Sequence, residues 1–140
     1  MLSGEYNYTI DAKGRLNFPA KLREELGEKL ILAKSLTDTC LNVYSVDKFD
    51  ELVEKIDALP MAKARNIRRH LFSSTVEVIP DKQGRILVPQ NLREYCGLKK
   101  DVVIVGVSQN CEIWSQENWG SVMETIDAEN LAEIVDELGI

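Results

Sequence analysis

The apolar residues nearest the start of the chain, Tyr6, Tyr8 and Ile10, alternate with polar ones, which is the period of a strand that turns one face to a core. The pattern breaks at Asp11-Ala12-Lys13-Gly14. An aspartate able to accept backbone N–H groups ahead of it, and a glycine free to take the left-handed conformation, predict a type I turn closed by a bulge. Arg15-Leu16-Asn17-Phe18 then reads as the return strand of a hairpin. Pro19 suits the first turn of a helix in which Leu22 and Leu26 share a face, with Gly27 placed as its C-terminal cap. Leu30 to Ala33 and Leu41 to Tyr44 predict two further strands. Ser45 has the chemistry of an N-cap, and Phe49, Leu52, Val53 and Ile56 recur at helical spacing up to Pro60. From Met61 to Phe72, Ala64, Ile67 and Leu71 mark one side of a connecting helix.

The pattern then starts again. Asp81-Lys82-Gln83-Gly84-Arg85 lies 70 residues after Asp11-Ala12-Lys13-Gly14-Arg15, and Pro89, Leu92, Arg93, Glu94 and Gly97 match Pro19, Leu22, Arg23, Glu24 and Gly27 at the same offset. Glu112-Ile113-Trp114 answers Asn42-Val43-Tyr44, and Trp119, Val122, Met123 and Ile126 answer Phe49, Leu52, Val53 and Ile56. The chain is an internal duplication. Its expected units are residues 5–58 and 75–126, joined by a connecting helix over 59–74 and followed by a last helix over 127–140. A half-length unit buries too little surface to be stable alone, so the halves are expected to share one core in an α+β fold. Asp127 to Gly139 finds no counterpart in the first half by this matching. Its stripe of Leu131, Ile134, Val135 and Leu138 predicts a helix docked on its own domain or on a neighbouring subunit.

Composition narrows the function. With 44% hydrophobic and 29% charged residues the chain is ordinary globular material, without low-complexity tracts. No segment approaches the roughly 20 apolar residues of a membrane span and the first residues have no basic-then-apolar leader pattern, so a cytoplasmic protein is expected. Cys40, Cys96 and Cys111 are odd in number and lack metal-ligand spacing, which predicts buried thiols, no disulfide framework and no metal. His70 is the single histidine, no nucleophile–base set is suggested and no glycine-rich phosphate loop follows a strand. The chain is therefore read as a non-enzyme without a cofactor.

Net charge is −6, which argues against nucleic acid until the distribution is considered. Met61 to Arg93 carries seven cations against Glu77 and Asp81, whereas Glu112 to Ile140 carries eight carboxylates and no cation. Arg65, Arg68 and Arg69 are conspicuous in the connecting helix, and pairing with carboxylates of neighbouring units is the preferred reading over DNA contact. The repeated turns are the sharper signal. Each presents a cation just after a glycine, and a guanidinium there can meet phosphate oxygens or form two hydrogen bonds with guanine. The alternative is that Arg15 and Arg85 return to Asp11 and Asp81 as turn-stabilising pairs, and the two roles can coexist.

Asp11-Ala12-Lys13-Gly14-Arg15-Leu16-Asn17-Phe18-Pro19 and Asp81-Lys82-Gln83-Gly84-Arg85-Ile86-Leu87-Val88-Pro89, with the Leu-Arg-Glu steps that follow, resemble the bacterial MraZ family over nearly the whole chain. The resemblance implies two tandem AbrB/MazE-like double-split β-barrel units, built from swapped hairpins, that form a pseudo-symmetric pair with short helices and a C-terminal helix. It implies a nucleoid-associated transcriptional regulator of the cell division and cell wall gene cluster. Such a regulator binds double-stranded DNA at G-rich promoter direct repeats as a ring-shaped homo-oligomer. Carried over to this sequence, the DNA-binding positions are Arg15, Arg85, Lys13 and Lys82, and the turn-shaping ones Asp11, Gly14, Asp81 and Gly84. Two departures stand out: Asn17, where an apolar residue is usual and looser packing is expected, and Ser73-Ser74-Thr75 before the second unit. The rival class is a protein-interaction module acting on a neighbouring enzyme or as an antitoxin-like partner, motivated by the acidic, apolar-striped end.

Overall fold

A computed structural model describes all residues, Met1–Ile140. The first half runs β1 (Glu5–Thr9), β2 (Arg15–Asn17), α1 (Ala20–Leu26), β3 (Leu30–Lys34), β4 (Leu41–Tyr44), α2 (Val46–Asp57) and α3 (Met61–Phe72). The second repeats the order as β5 (Val76–Val78), β6 (Arg85–Leu87), α4 (Gln90–Cys96), β7 (Asp101–Gly106), β8 (Cys111–Ser115), α5 (Gln116–Glu124) and α6 (Ala128–Leu138). Both halves are thus ββαββαα, and α6 occupies the place in the order that α3 holds. This corrects the expectation that the last segment has no counterpart. α5 has 9 residues where α2 has 12, so the last helix falls short of the 70-residue offset and matching at that single offset misses it.

The strands pair across the duplication. The larger sheet has the order β1-β7-β8-β4-β3-β5, and β2 pairs only with β6 in a separate two-stranded ribbon. β1 therefore lies against β7 of the other half, from Glu5↔Val105 to Thr9↔Asp101, while β5 lies against β3. The hairpin expected for Tyr6–Ile10 and Arg15–Phe18 survives only as the bridge Ile10↔Leu16 next to the turn. The physical reason is that alternation dictates which face of a strand is buried but not which strand supplies its ladder. Exchange joins both halves through the antiparallel ribbon, with Leu16 directly opposite Ile86.

One core serves both repeats. Leu16, Phe18, Leu22 and Leu26 pack in the same cluster as Ile86, Val88, Leu92 and Cys96, over the inner faces of β3, β4, β7 and β8. The ribbon and the short helices α1 and α4 thereby close one face of the sheet. On the outer face α2 and α3 cover Ala33 with Ile56 and Leu71, and Trp119 covers Val103, Val105 and Trp114. Strands buried on both sides explain why β3 and β7 read as nearly continuous apolar runs. Pro19 and Pro89 sit one residue before their helices, as extended N-cap residues. Asn17 is exposed, as is Leu87 in the other half, so the polar residue faces outward and loosens no packing. Ser74 is buried and its hydroxyl accepts from the Lys34 amide at 3.0 Å, which ties the segment before β5 to β3. All three cysteines are buried and unpaired, and burial pushes their thiols well up, those of Cys96 and Cys111 to about 12.

Because Leu16 is fully buried at the junction of both repeats, Leu16→Ala is expected to cost about 2–5 kcal/mol. Both tryptophans lie in the second half. Their fluorescence in urea should still show one cooperative transition at the lowered midpoint, and a second-half signal unmoved by this first-half change would contradict a shared core.

Candidate nucleic-acid interface

Each repeated turn is built by its aspartate. The Asp11 Oδ1 accepts the amides of Lys13 at 3.0 Å and Arg15 at 2.9 Å, and its Oδ2 accepts the Arg15 Nε at 2.5 Å. Asp81 repeats this with the amides of Gln83 and Arg85, both at 2.9 Å, and with the Arg85 Nε at 2.9 Å. The fourth residues, Gly14 and Gly84, take φ of +90° and +80° and donate to the Asp11 and Asp81 carbonyls at 3.0 and 2.9 Å. Both carboxyls are lowered from 3.8, first by the backbone N–H of Arg15 or Arg85 and then by its guanidinium. The turn-stabilising pairs thus exist at both motifs. They engage only Nε, so both Nη groups of each arginine make no hydrogen bond within the chain, and the side chains are 43% and 32% exposed. Lys13 and Lys82 stand exposed in the turns beside them.

The ribbon brings the two motifs to one surface. In the register Arg15↔Leu87, Leu16↔Ile86, Asn17↔Arg85, the central pair points into the core and the outer pairs point away from it. Arg15 and Arg85 are therefore diagonal neighbours on one outward face, two residues apart along the ribbon, or about 7 Å. Asn17 shares that face.

Each turn is also clamped by the other half. The Phe18 amide donates to the Gly84 carbonyl at 2.9 Å, and the Val88 amide to the Gly14 carbonyl at 2.8 Å. Arg23 of α1 donates through Nε to the Phe18 carbonyl, and Arg93 of α4 to the Val88 carbonyl, each at 3.0 Å. Their guanidiniums lie against the opposite turns: a Cβ on Gly14 would stand 2.8 Å from the Arg93 Nε, and one on Gly84 2.8 Å from the Arg23 Nη2. These two arginines were legible only as cations recurring at the repeat offset. Their contact with the turns comes from the ribbon, which carries each turn under the other half's helix.

The other candidate cations lie elsewhere. α3 packs on the outer face of the sheet, opposite the ribbon. Arg68 pairs with Asp57 and lies over the Phe72 ring, its guanidinium 5.8 Å from the centroid, while Arg65 and Arg69 make no ion pair, so the expected pairing holds for one of the three. His70 places Nε2 2.9 Å from the Ser35 carbonyl and its ring edge-on to Tyr95, a packing role.

Carboxyls with lowered folded values contribute stability that is present above their unfolded value near 3.8 and lost as pH falls through the folded value. Urea midpoints should therefore fall on acidification below about pH 4, and Asp11→Asn/Asp81→Asn should flatten that decline while lowering the midpoint at neutral pH. Gly14→Ala, with its Cβ 2.5 Å from the Val88 carbonyl at φ +90°, is expected to cost about 1–3 kcal/mol or more, measured in the same titration.

A family model described as "MraZ protein, putative antitoxin-like" matches residues 1–69 and again 71–138, one match per repeat. Proteins named transcriptional regulator MraZ are similar over the full length of both chains: 50% identical in Caldicellulosiruptor saccharolyticus, 49% in Acetivibrio thermocellus and 46% in Clostridium tetani. The double match falls on the halves that the ribbon joins, and the chain belongs to the MraZ family.

Proposed function

We propose that this chain is a transcriptional regulator that binds double-stranded DNA through the outward face of the β2/β6 ribbon. The observation that carries the reading is the pair of arginines, Arg15 and Arg85, fixed through Nε and open through both Nη groups on one ribbon face. A two-stranded ribbon fits the major groove, and a guanidinium with free, oriented N–H groups suits guanine O6 and N7 or a phosphate. Lys13 and Lys82 extend the positive surface at the turns, and Asn17 adds an amide to it. The name shared by the relatives, transcriptional regulator, agrees with this chemistry.

The finer reading follows the family resemblance. The target is the promoter of the cell division and cell wall gene cluster, bound at G-rich direct repeats by a ring-shaped homo-oligomer in the cytoplasm, in association with the nucleoid. One chain offers few phosphate contacts, and non-specific affinity at physiological salt is typically only about 10⁻⁴ to 10⁻⁶ M. Repeating the ribbon around an assembly raises affinity by effective concentration, without new contacts. No catalytic or cofactor role is part of this reading. No group of histidine, cysteine or carboxylate side chains has the arrangement of a metal site, and no helix is long and apolar enough to cross a membrane.

A mobility-shift titration on DNA from upstream of the chain's own gene tests the proposal. Arg15→Ala and Arg85→Ala should each weaken retention about tenfold or more, by about 1–3 kcal/mol per lost bidentate contact. Lys13→Ala should lower the salt slope by about one without changing sequence preference. Unchanged retention by both arginine variants would rule the ribbon out as the DNA surface.

A further inference from the structure

The two halves end differently on the outer face of the sheet. In the first, α3 follows α2 and buries Ala64 and Leu71, the latter packed with Ala33 and Ile56. In the second, α6 follows α5, and its Leu131, Ile134 and Leu138 stand in the order and spacing of Ala64, Ile67 and Leu71. Yet every residue of α6 is exposed, Leu131 at 50%, Ile134 at 52% and Leu138 at 66%. The place that α3 fills is already closed in the second half. Val103, Val105 and Trp114 are buried beneath Trp119 and Val122, with the two indole rings 5.9 Å apart. α6 is a properly capped helix, with Asp127 accepting the Glu129 amide and Gly139 in the left-handed conformation. Its apolar stripe is left uncovered by its own half.

A surface of matching chemistry exists on the same chain. Beside the connection from α2 to α3 lies a groove of about 390 Å³ with Leu59, Met61 and Ala64 as its apolar part and Arg65, Arg68 and Arg69 around it. Met61 is 85% exposed there. Asp57 engages Arg68 but leaves Arg65 and Arg69 without a carboxylate. α3 carries four cations and no acid, whereas α6 and its cap carry five carboxylates and no cation. Two α6 helices would repel one another, while α6 and the α3 groove are complementary in charge and both offer unpartnered apolar side chains.

We infer that α6 of one copy docks its Leu131, Ile134 and Leu138 stripe in the α2/α3 groove of a second copy, with its carboxylates over Arg65 and Arg69. This rests on the oligomeric part of the function proposed above and supplies its interface. Two different surfaces meet, so the contact is heterologous: it extends head to tail and closes where the rotation allows. It also assigns the basic α3 to protein contact, on the side of the sheet away from the ribbon, and leaves the DNA to the ribbon.

Light scattering on the full chain at micromolar concentration tests it. Wild type should run as a multiple of the 15.8 kDa chain, and Ile134→Asp, or Arg65→Glu with Arg69→Glu, should each run as single chains. All the altered side chains are exposed, so thermal melts followed by circular dichroism should match wild type. Mixing the two variants should give a pair of twice the chain mass, because each supplies the surface that the other lacks. Variants that keep the wild-type mass, or a mixture that stays as single chains, would overturn the α6-to-groove contact while leaving an oligomer in place. A wild-type protein that runs as a single chain would overturn the oligomer itself, and with it this interface; DNA retention by the ribbon variants is read separately.

Discussion

The three-residue ladder between Arg15–Asn17 and Arg85–Leu87 is the contact on which the other features depend. β2 has no other named strand as partner, and neither has β6, so the ladder hydrogen bonds between them form only when the two halves are interlocked. The central side chains, Leu16 and Ile86, are 0% and 1% exposed and sit in a cluster drawn from both halves. The amides of Phe18 and Val88 extend the ladder into the opposite turns through the Gly84 and Gly14 carbonyls. Folding and site formation are consequently one event: neither turn has its full set of hydrogen bonds until the other half is in place.

That arrangement lets a small, exposed site be rigid. A free arginine at a loop tip loses considerable side-chain entropy on ordering. Here Asp11 and Asp81 hold the Nε of Arg15 and Arg85 in advance, while the same carboxylates accept the turn amides. Arg23 and Arg93 brace the turns from the opposite half. The fork that remains faces away from the core with its geometry set before any ligand arrives, which is the condition for bidentate recognition to contribute affinity and specificity.

The duplication is faithful around this site and diverges on the far side of the sheet. α3 is basic and packed; α6 is acidic and exposed, although the two hold the same place in the order of elements. Where the first half closes its outer layer with Leu71 and Ile56, the second closes it with Trp114 and Trp119. The helix in this place thus serves the fold in one half and stands exposed in the other, and the exposed one carries much of the acidity behind the net charge of −6.

The elements, the duplication and the chemistry of the turns are legible in the order of residues alone. Alternation at Tyr6, Tyr8 and Ile10, helical spacing at Phe49, Leu52 and Ile56, and the Asp-x-x-Gly-Arg pattern are local signals, and each is found in the expected place. Which strands meet is fixed by contacts between distant parts of the chain. An amphipathic strand specifies a buried face and leaves its partner open, so exchange between halves was implied only by the resemblance to swapped hairpins, and the placing of Arg15 and Arg85 on one surface and the reach of Arg23 and Arg93 across to the opposite turns were not readable in advance. The same holds for Asn17, whose polarity is explained once the ribbon turns it outward. It holds again for α6, because spacing predicts that an apolar stripe needs a partner, while the structure leaves every residue of that helix exposed on its own chain.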